Sequence, residues 1–176
     1  MVETGSPAPG FRLQASNGEY VSLEDFHGKK NVVVYFYPKD FTKGCTAEAC
    51  EFRDSYEEFK NLGAEVIGIS GDNQKSHGDF ATEHKLPFIL LSDPDGSVRK
   101  SYGVKKTLGL ILGRVSFVID KDGIVRHVFS SQSRATAHAS EALAVLKSLT
   151  WSDHRLSNKC ASGYGRLNSI AASNLA

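Results

Sequence analysis

The chain has 176 residues, 21 of them basic and 20 acidic, for a formal net charge of +1. This length fits one domain, and the near-neutral balance argues against nucleic acid or an anionic membrane surface as the main partner. No apolar run approaches the length of a transmembrane helix, and residues 1–7 lack the basic-then-apolar pattern of a signal peptide.

Residues 1–10 are small, with Pro7 and Pro9, and read as an extended lead-in. Phe11–Gln14 and Tyr20–Leu23 flank Ser16-Asn17-Gly18, a hairpin signal. Ser22 with Glu24 and Asp25 opens a short helical turn that Gly28 closes. Val32 to Tyr37 is almost continuously apolar, as expected of a central strand buried on both faces. A helix is predicted from about Thr46 to Leu62, with Ala49, Phe52, Tyr56, Phe59 and Leu62 on one stripe and Gly63 as C-cap. Ala64–Ser70 is the next strand, Gln74–Lys85 the next helix, and Phe88–Leu91 another strand. Ser97–Tyr102 makes one or two helical turns. Residues 103–113 read as a loop carrying an apolar cluster, Leu108 to Leu112. Val115–Ile119 and Ile124–Phe129 flank Asp120-Lys121-Asp122-Gly123, a second hairpin. A last helix is expected from Thr136 to Leu149.

Strand–helix alternation implies a parallel central part, and the late hairpin adds antiparallel strands. The order is that of a thioredoxin-like α/β/α sandwich with a mixed central sheet and an N-terminal β-hairpin, over residues 1–149. Residues 150–176 are rich in Ser, Asn, Ala and Gly without sustained periodicity, and are expected to form a disordered tail.

The chemistry concentrates between Tyr35 and Cys50. Pro38 and Gly44 turn the chain from the central strand into the helix and set Cys45 at its start. Unpaired backbone N–H groups and the positive end of the helix dipole lie there, and both favour the thiolate, the reactive form of cysteine. Two cysteines three apart on a helix lie about 5 Å apart at Cα; five apart, as Cys45 and Cys50 are, the distance is roughly 8.5 Å, with side chains about 140° apart. That exceeds disulfide range, so the two can pair only if the first turn and a half unwinds. Such an arrangement suits a nucleophile that is oxidised first and meets its partner by local unfolding. The remaining cysteine, Cys160, falls in the expected tail. Three cysteines make neither a disulfide scaffold nor, without suitable histidines, a zinc site. The six histidines are scattered and read as surface residues.

Pro38-x-x-x-Thr42-x-x-Cys45 resembles the active-site pattern of the peroxiredoxins. With Cys50, Phe52-Arg53-Asp54-Ser55-Tyr56, Gly68-Ile69-Ser70-Gly71-Asp72 and Gly113-Arg114 before a strand, the sequence resembles the peroxiredoxin Q / bacterioferritin comigratory protein subfamily over residues 3–149. The resemblance implies a thiol peroxidase acting on hydrogen peroxide and organic hydroperoxides. It implies Cys45 as the peroxidatic cysteine and Cys50 as the resolving one. Pro38 would shield the pocket, Thr42 would hydrogen-bond thiolate and peroxide, and Arg114 would supply positive charge to both. It implies no cofactor or metal, and recycling by thioredoxin or a similar dithiol protein; from the charge balance and the lack of a long apolar run, no partner in nucleic acid and no membrane insertion are expected. A monomer is expected, in a bacterial or cyanobacterial type of cytoplasm, or in a plastid if a transit peptide has been removed. A thioredoxin-type disulfide exchanger and a peroxide sensor without turnover are the alternatives; the absence of Cys-x-x-Cys argues against the first.

Overall fold

Six consecutive residues, Asn31–Phe36, form the strand around which the sheet is built, and all six are buried. The computed structural model describes residues 1–107 and 111–161, side chains excepted at 107, 111 and 151–161. Its strands are β1 (Arg12–Ala15), β2 (Tyr20–Ser22), β3 (Asn31–Phe36), β4 (Ala64–Ser70), β5 (Ile89–Ser92), β6 (Lys106–Thr107), β7 (Ile111–Leu112), β8 (Val115–Ile119) and β9 (Val125–Ser130). Its helices are α1 (Lys43–Asp54), α2 (Tyr56–Asn61), α3 (Gln74–His84), α4 (Ser97–Ser101) and α5 (Ala137–Ala161), with a 3₁₀ turn at Leu23–Phe26.

Seven strands form one sheet in the order β2-β1-β5-β4-β3-β8-β9. β3 and β4 pair in parallel, as do β4 and β5, while β8 runs antiparallel to β3 and continues as the hairpin with β9. The mixed sheet and the N-terminal hairpin match the expectation from the sequence. Because side chains alternate along a strand, β3 serves two cores. Val33 and Tyr35, followed by Tyr37, pack with Cys45, Ala49 and Phe52 of α1, Phe59 of α2, Phe80 of α3 and Leu143 and Leu146 of α5. Val32, Val34 and Phe36 pack on the other face with Phe11, Leu23, and Val98 and Tyr102 around α4.

Four local expectations are corrected. The helix predicted as one piece to Leu62 breaks at Ser55, whose backbone leaves the helical region (φ −97°, ψ 1°). Beyond the break Tyr56 lies against β4, where its hydroxyl donates to Glu65 at 2.6 Å. The loop at 103–113 contains a short ribbon, β6 paired antiparallel with β7; Leu108 and Leu110 of its apolar cluster lie outside the described residues. The last helix runs past Leu149 to Ala161. Arg155, Leu156, Lys159 and Ala161 are good helix formers and no Gly or Pro lies between Leu149 and Ala161, so nothing local stops the helix within that stretch. Cys160 falls within that helix, and residues 162–176 of the expected tail lie outside the described residues. Finally, His77 and His138 are fully buried, not surface residues.

Candidate active site

β3 ends at Phe36, and the chain crosses Tyr37, Pro38 and a four-residue turn before α1 begins at Lys43. The turn is fixed by Asp40. Its carboxylate accepts from the Tyr37 hydroxyl (2.8 Å), the Ser76 hydroxyl (2.7 Å) and Nδ1 of His77 (2.9 Å), and its backbone N–H donates to Asp72 (2.8 Å). Burial opposes the charge on Asp40, but the hydrogen bonds from His77, Ser76 and Tyr37 outweigh it and hold the carboxyl below its ordinary range. His77 is held in turn by the Leu91 carbonyl at Nε2 (3.2 Å). Phe41, next in the chain, takes a left-handed conformation (φ 59°) unusual for a side chain of its size. The loop is thus pinned on α3 at Asp40 and turned sharply into the helix one residue later.

Thr42 is the N-cap of α1, which makes Cys45 the third helical residue. The first intrahelical bond, Thr46 N–H to Thr42 carbonyl at 2.9 Å, leaves the amides of the preceding turn at the sulfur's end of the helix. Cys45 is buried, and Arg114 reaches it from the start of β8, with Nη2 donating to Sγ at 3.3 Å. Nη1 of the same guanidinium hydrogen-bonds Glu48, one turn along α1, and lies 3.5 Å from the Gly44 carbonyl. A Cβ at residue 44 would come within 3.1 Å of Arg114 Nη2, so glycine there is what permits the close approach.

Behind the arginine is a buried polar cluster. Glu48 and His138 are both fully buried, with Glu48 Oε1 3.5 Å from His138 Nδ1. His138 Nε2 faces the Ser131 carbonyl (3.0 Å) and so carries the proton, leaving Nδ1 to accept from Ser116 (2.6 Å). Burial keeps that imidazole neutral, pulling it down to about 4. Burial also pushes the Glu48 carboxyl up to about 8, against the pull of Arg114. On Arg114 itself burial disfavours the charge, but Glu48 and the Cys45 sulfur overcompensate and raise its guanidinium.

The sequence-predicted residues are not all gathered at the sulfur. Arg114 is. Pro38, partly buried, sits at the mouth of the turn. Thr42 is exposed, and its hydroxyl donates to the Lys39 carbonyl (3.1 Å) rather than to Sγ. Cys50 is half-buried on the same unbroken helix, and both cysteines are free thiols. Arg53 lies within electrostatic reach of Cys50 and donates to the His84 carbonyl at 2.9 Å, tying the end of α1 to α3. Sequence reasoning missed Glu48, Asp40, His77 and His138. Glu48 was findable, since three residues beyond Cys45 on a helix is the same face. Asp40 lies in the loop just before Cys45, whereas His77 and His138 lie in distant segments with no local signal.

A buried, arginine-paired cysteine in the first turn of a helix, at the carboxyl end of a central strand, defines a thioredoxin-fold protein built for nucleophilic sulfur chemistry. The chain matches the model of the AhpC/TSA family over residues 4–128. It is 52% identical over 149 residues to a chloroplastic peroxiredoxin Q of Oryza sativa subsp. japonica, covering 84% of this chain and 68% of that protein. The crystal structure of peroxidoxin BcpB from Mycobacterium tuberculosis superposes with a TM-score of 0.78 at 38% identity, covering 84% of this chain and 98% of that one. The bacterioferritin comigratory protein of Xanthomonas campestris, whose alkyl peroxide reduction activity its structures address, gives 0.72 at 32% identity over 78% of this chain and 90% of its own. The chain belongs to the AhpC/TSA family and, within it, to the peroxiredoxin Q group. It is a thiol peroxidase, with peroxide as substrate and a thioredoxin-like dithiol as reductant.

Proposed function

We propose that Cys45 is the peroxidatic nucleophile and Cys50 the resolving thiol of an atypical two-cysteine peroxidase. The observation that carries this reading is the Arg114 guanidinium 3.3 Å from Cys45 Sγ at the head of α1. The Cys45 thiolate attacks one peroxide oxygen, an S–O bond forms and the O–O bond breaks. The leaving oxygen departs with the bonding pair and takes up a proton as water or alcohol. Fixed donors aimed at the developing charge lower this barrier, and Arg114 is such a donor. Cys45 is then a sulfenic acid. The first turns of α1 unwind, the Cys50 thiolate attacks the Cys45 sulfur, and hydroxide leaves to become water. A dithiol protein reduces the resulting disulfide by exchange.

Pro38 shields the sulfur from water in this reading. The Thr42 hydroxyl turns from the Lys39 carbonyl toward the peroxide when substrate binds. The activity of the Xanthomonas protein supports alkyl hydroperoxides as substrates beside hydrogen peroxide. We propose a monomer, which light scattering would test. For compartment, the chloroplastic relatives favour the plastid over a cytoplasm, and imaging of the tagged native protein would decide between them.

The test is thioredoxin-coupled peroxide consumption beside intact mass after one equivalent of peroxide. Multiple turnovers with a two-proton mass loss mapped to Cys45–Cys50 are expected. Mass change without turnover would instead indicate a peroxide sensor or another reductant, and a disulfide to Cys160 would displace Cys50 from its role.

A further inference from the structure

The ladder between β3 and β8 ends at the pair Phe36–Val115. Beyond it the chains diverge. Tyr37 and Pro38 lead to the loop before Cys45, and Gly113 and Arg114 arrive from the β6–β7 ribbon. Two peptide carbonyls at this open end are taken by one side chain, Arg99. Its Nη2 donates to the Tyr37 carbonyl at 2.6 Å and its Nη1 to the Gly113 carbonyl at 2.7 Å.

Arg99 comes from α4, on the face of the sheet opposite α1. Its guanidinium carbon lies 5.4 Å from the centroid of the Phe36 ring, and the residue is buried. Burial works against its charge, which Asp93 chiefly supports. Asp93 is itself immobilised, accepting from the backbone N–H of Val98 (3.2 Å) and of Arg99 (2.8 Å). Gly113 is pinned from its other side, because a Cβ there would run into the Lys105 carbonyl. The two carbonyls therefore sit at a separation set by a rigid, planar fork. One belongs to the residue before Pro38, the other to the residue before Arg114.

We propose that Arg99 is a positioning residue for peroxide reduction: by bridging the Tyr37 and Gly113 carbonyls it fixes the backbone from which Arg114 reaches the Cys45 sulfur. The inference rests on the assignment of Cys45 and Arg114 above. Arg99 hydrogen-bonds neither sulfur nor substrate; its charge lies within electrostatic reach of Cys45, and Arg99→Lys keeps that charge while removing the fork, so the variant isolates the action through Arg114. A lysine cannot replace it, since one ammonium on a flexible stem does not span two carbonyls in a fixed geometry.

The experiment measures single-turnover oxidation of Cys45 by hydrogen peroxide across pH in Arg99→Lys, Arg114→Lys, the double variant and Cys45→Ser, with urea denaturation of each. Arg99→Lys should fold and oxidise more slowly by roughly ten- to a hundredfold, the scale of a small misplacement at a reacting centre. Its disulfide should be reduced by thioredoxin at the wild-type rate. In the Arg114→Lys background the Arg99→Lys effect should vanish, because residues acting through one another are not additive. Wild-type oxidation in Arg99→Lys, or independent multiplication of the two effects, would overturn the proposal. Should Arg99→Lys not fold, Arg99→Gln, which can donate to one carbonyl without a buried charge, is held to the same criteria. Cys45→Ser separates the two readings: if it still yields the oxidised protein, the site assignment fails. If it is silent while Arg99→Lys behaves as wild type, only the role of Arg99 fails.

Discussion

The two halves of α1 are held by different physics. The first half carries Cys45 and Glu48, whose side-chain hydrogen bonds run to one guanidinium, that of Arg114. The second half carries Phe52, fully buried, stacked on Tyr35 at 4.6 Å and flanked by Phe59 at 5.8 Å and Phe88 at 6.4 Å. In the proposed cycle the first half must unwind and the second must stay. Polar ties respond to the charge on sulfur, and a neutral sulfenic acid gives Arg114 less to hold. Aromatic burial does not respond to sulfur chemistry. The contrast shows how one helix is made labile at one end without becoming unstable as a whole.

The largest effect that can break this contrast is at the cysteines. Cys45→Ser should abolish peroxide consumption, whereas Cys50→Ser should keep one oxidation event and lose thioredoxin-coupled cycling. Undiminished cycling in both variants would remove the functional distinction between the two ends. Next comes the anchor. Phe52→Ala should destabilise the fold by about 3–5 kcal/mol in urea denaturation, as for other buried phenylalanines. A loss no greater than that of a surface substitution would mean that the second half is not anchored by its aromatic packing.

The pH dependence sharpens the polar side. Glu48 has its folded value raised from 4.5 to about 8, so it binds its proton more tightly folded than unfolded. Its contribution to stability is full below about pH 4.5 and is lost as pH rises toward 8. His138 works in the opposite sense. Its folded value is lowered from 6.5 to about 4, so its contribution is full above pH 6.5 and is lost as pH falls toward 4. Glu48→Gln should remove the first loss, and its stability relative to wild type should climb between pH 4.5 and 8. A pH-independent difference in urea midpoints would show that Glu48 does not titrate in this window.

The smallest effect is the most local. Ala47 is exposed in the first half of α1, and Ala47→Gly should cost that half about 1 kcal/mol of helix stability. Roughly fivefold faster closure of the Cys45–Cys50 disulfide after oxidation is expected, read by rapid quench and mass analysis. An unchanged rate would mean that unwinding does not limit closure. Hydrogen exchange should also show the amides of residues 45–50 losing protection in the disulfide form, and unchanged protection would contradict local unwinding.

Much of this was legible in the sequence because it is local. Val32–Phe36 announces a doubly buried strand by its unbroken apolar run, Asn17-Gly18 and Asp122-Gly123 announce their hairpins, and Pro38, Gly44 and the stripe through Phe52 set Cys45 at a helix start. Spacing alone placed Cys50 out of disulfide reach. Errors arose where no local signal existed: nothing in the sequence marks the bend at Ser55, and the Ser- and Asn-rich stretch after Leu149 hid a helix that runs on to Ala161.

The sequence by itself determined most of the elements, their order and the placing of Cys45 at a helix start, since periodicity, turn chemistry and motif spacing act over a few residues. Only the tertiary structure decided which distant side chains meet it. Arg114, 69 residues beyond Cys45, donates to its sulfur. Arg99 joins two peptides from the far face of the sheet, and His138 closes on Glu48 from the last helix. Burial made these contacts consequential, because a polar group taken out of water is costly unless it meets a partner, and which partner it meets depends on the packing of the whole chain.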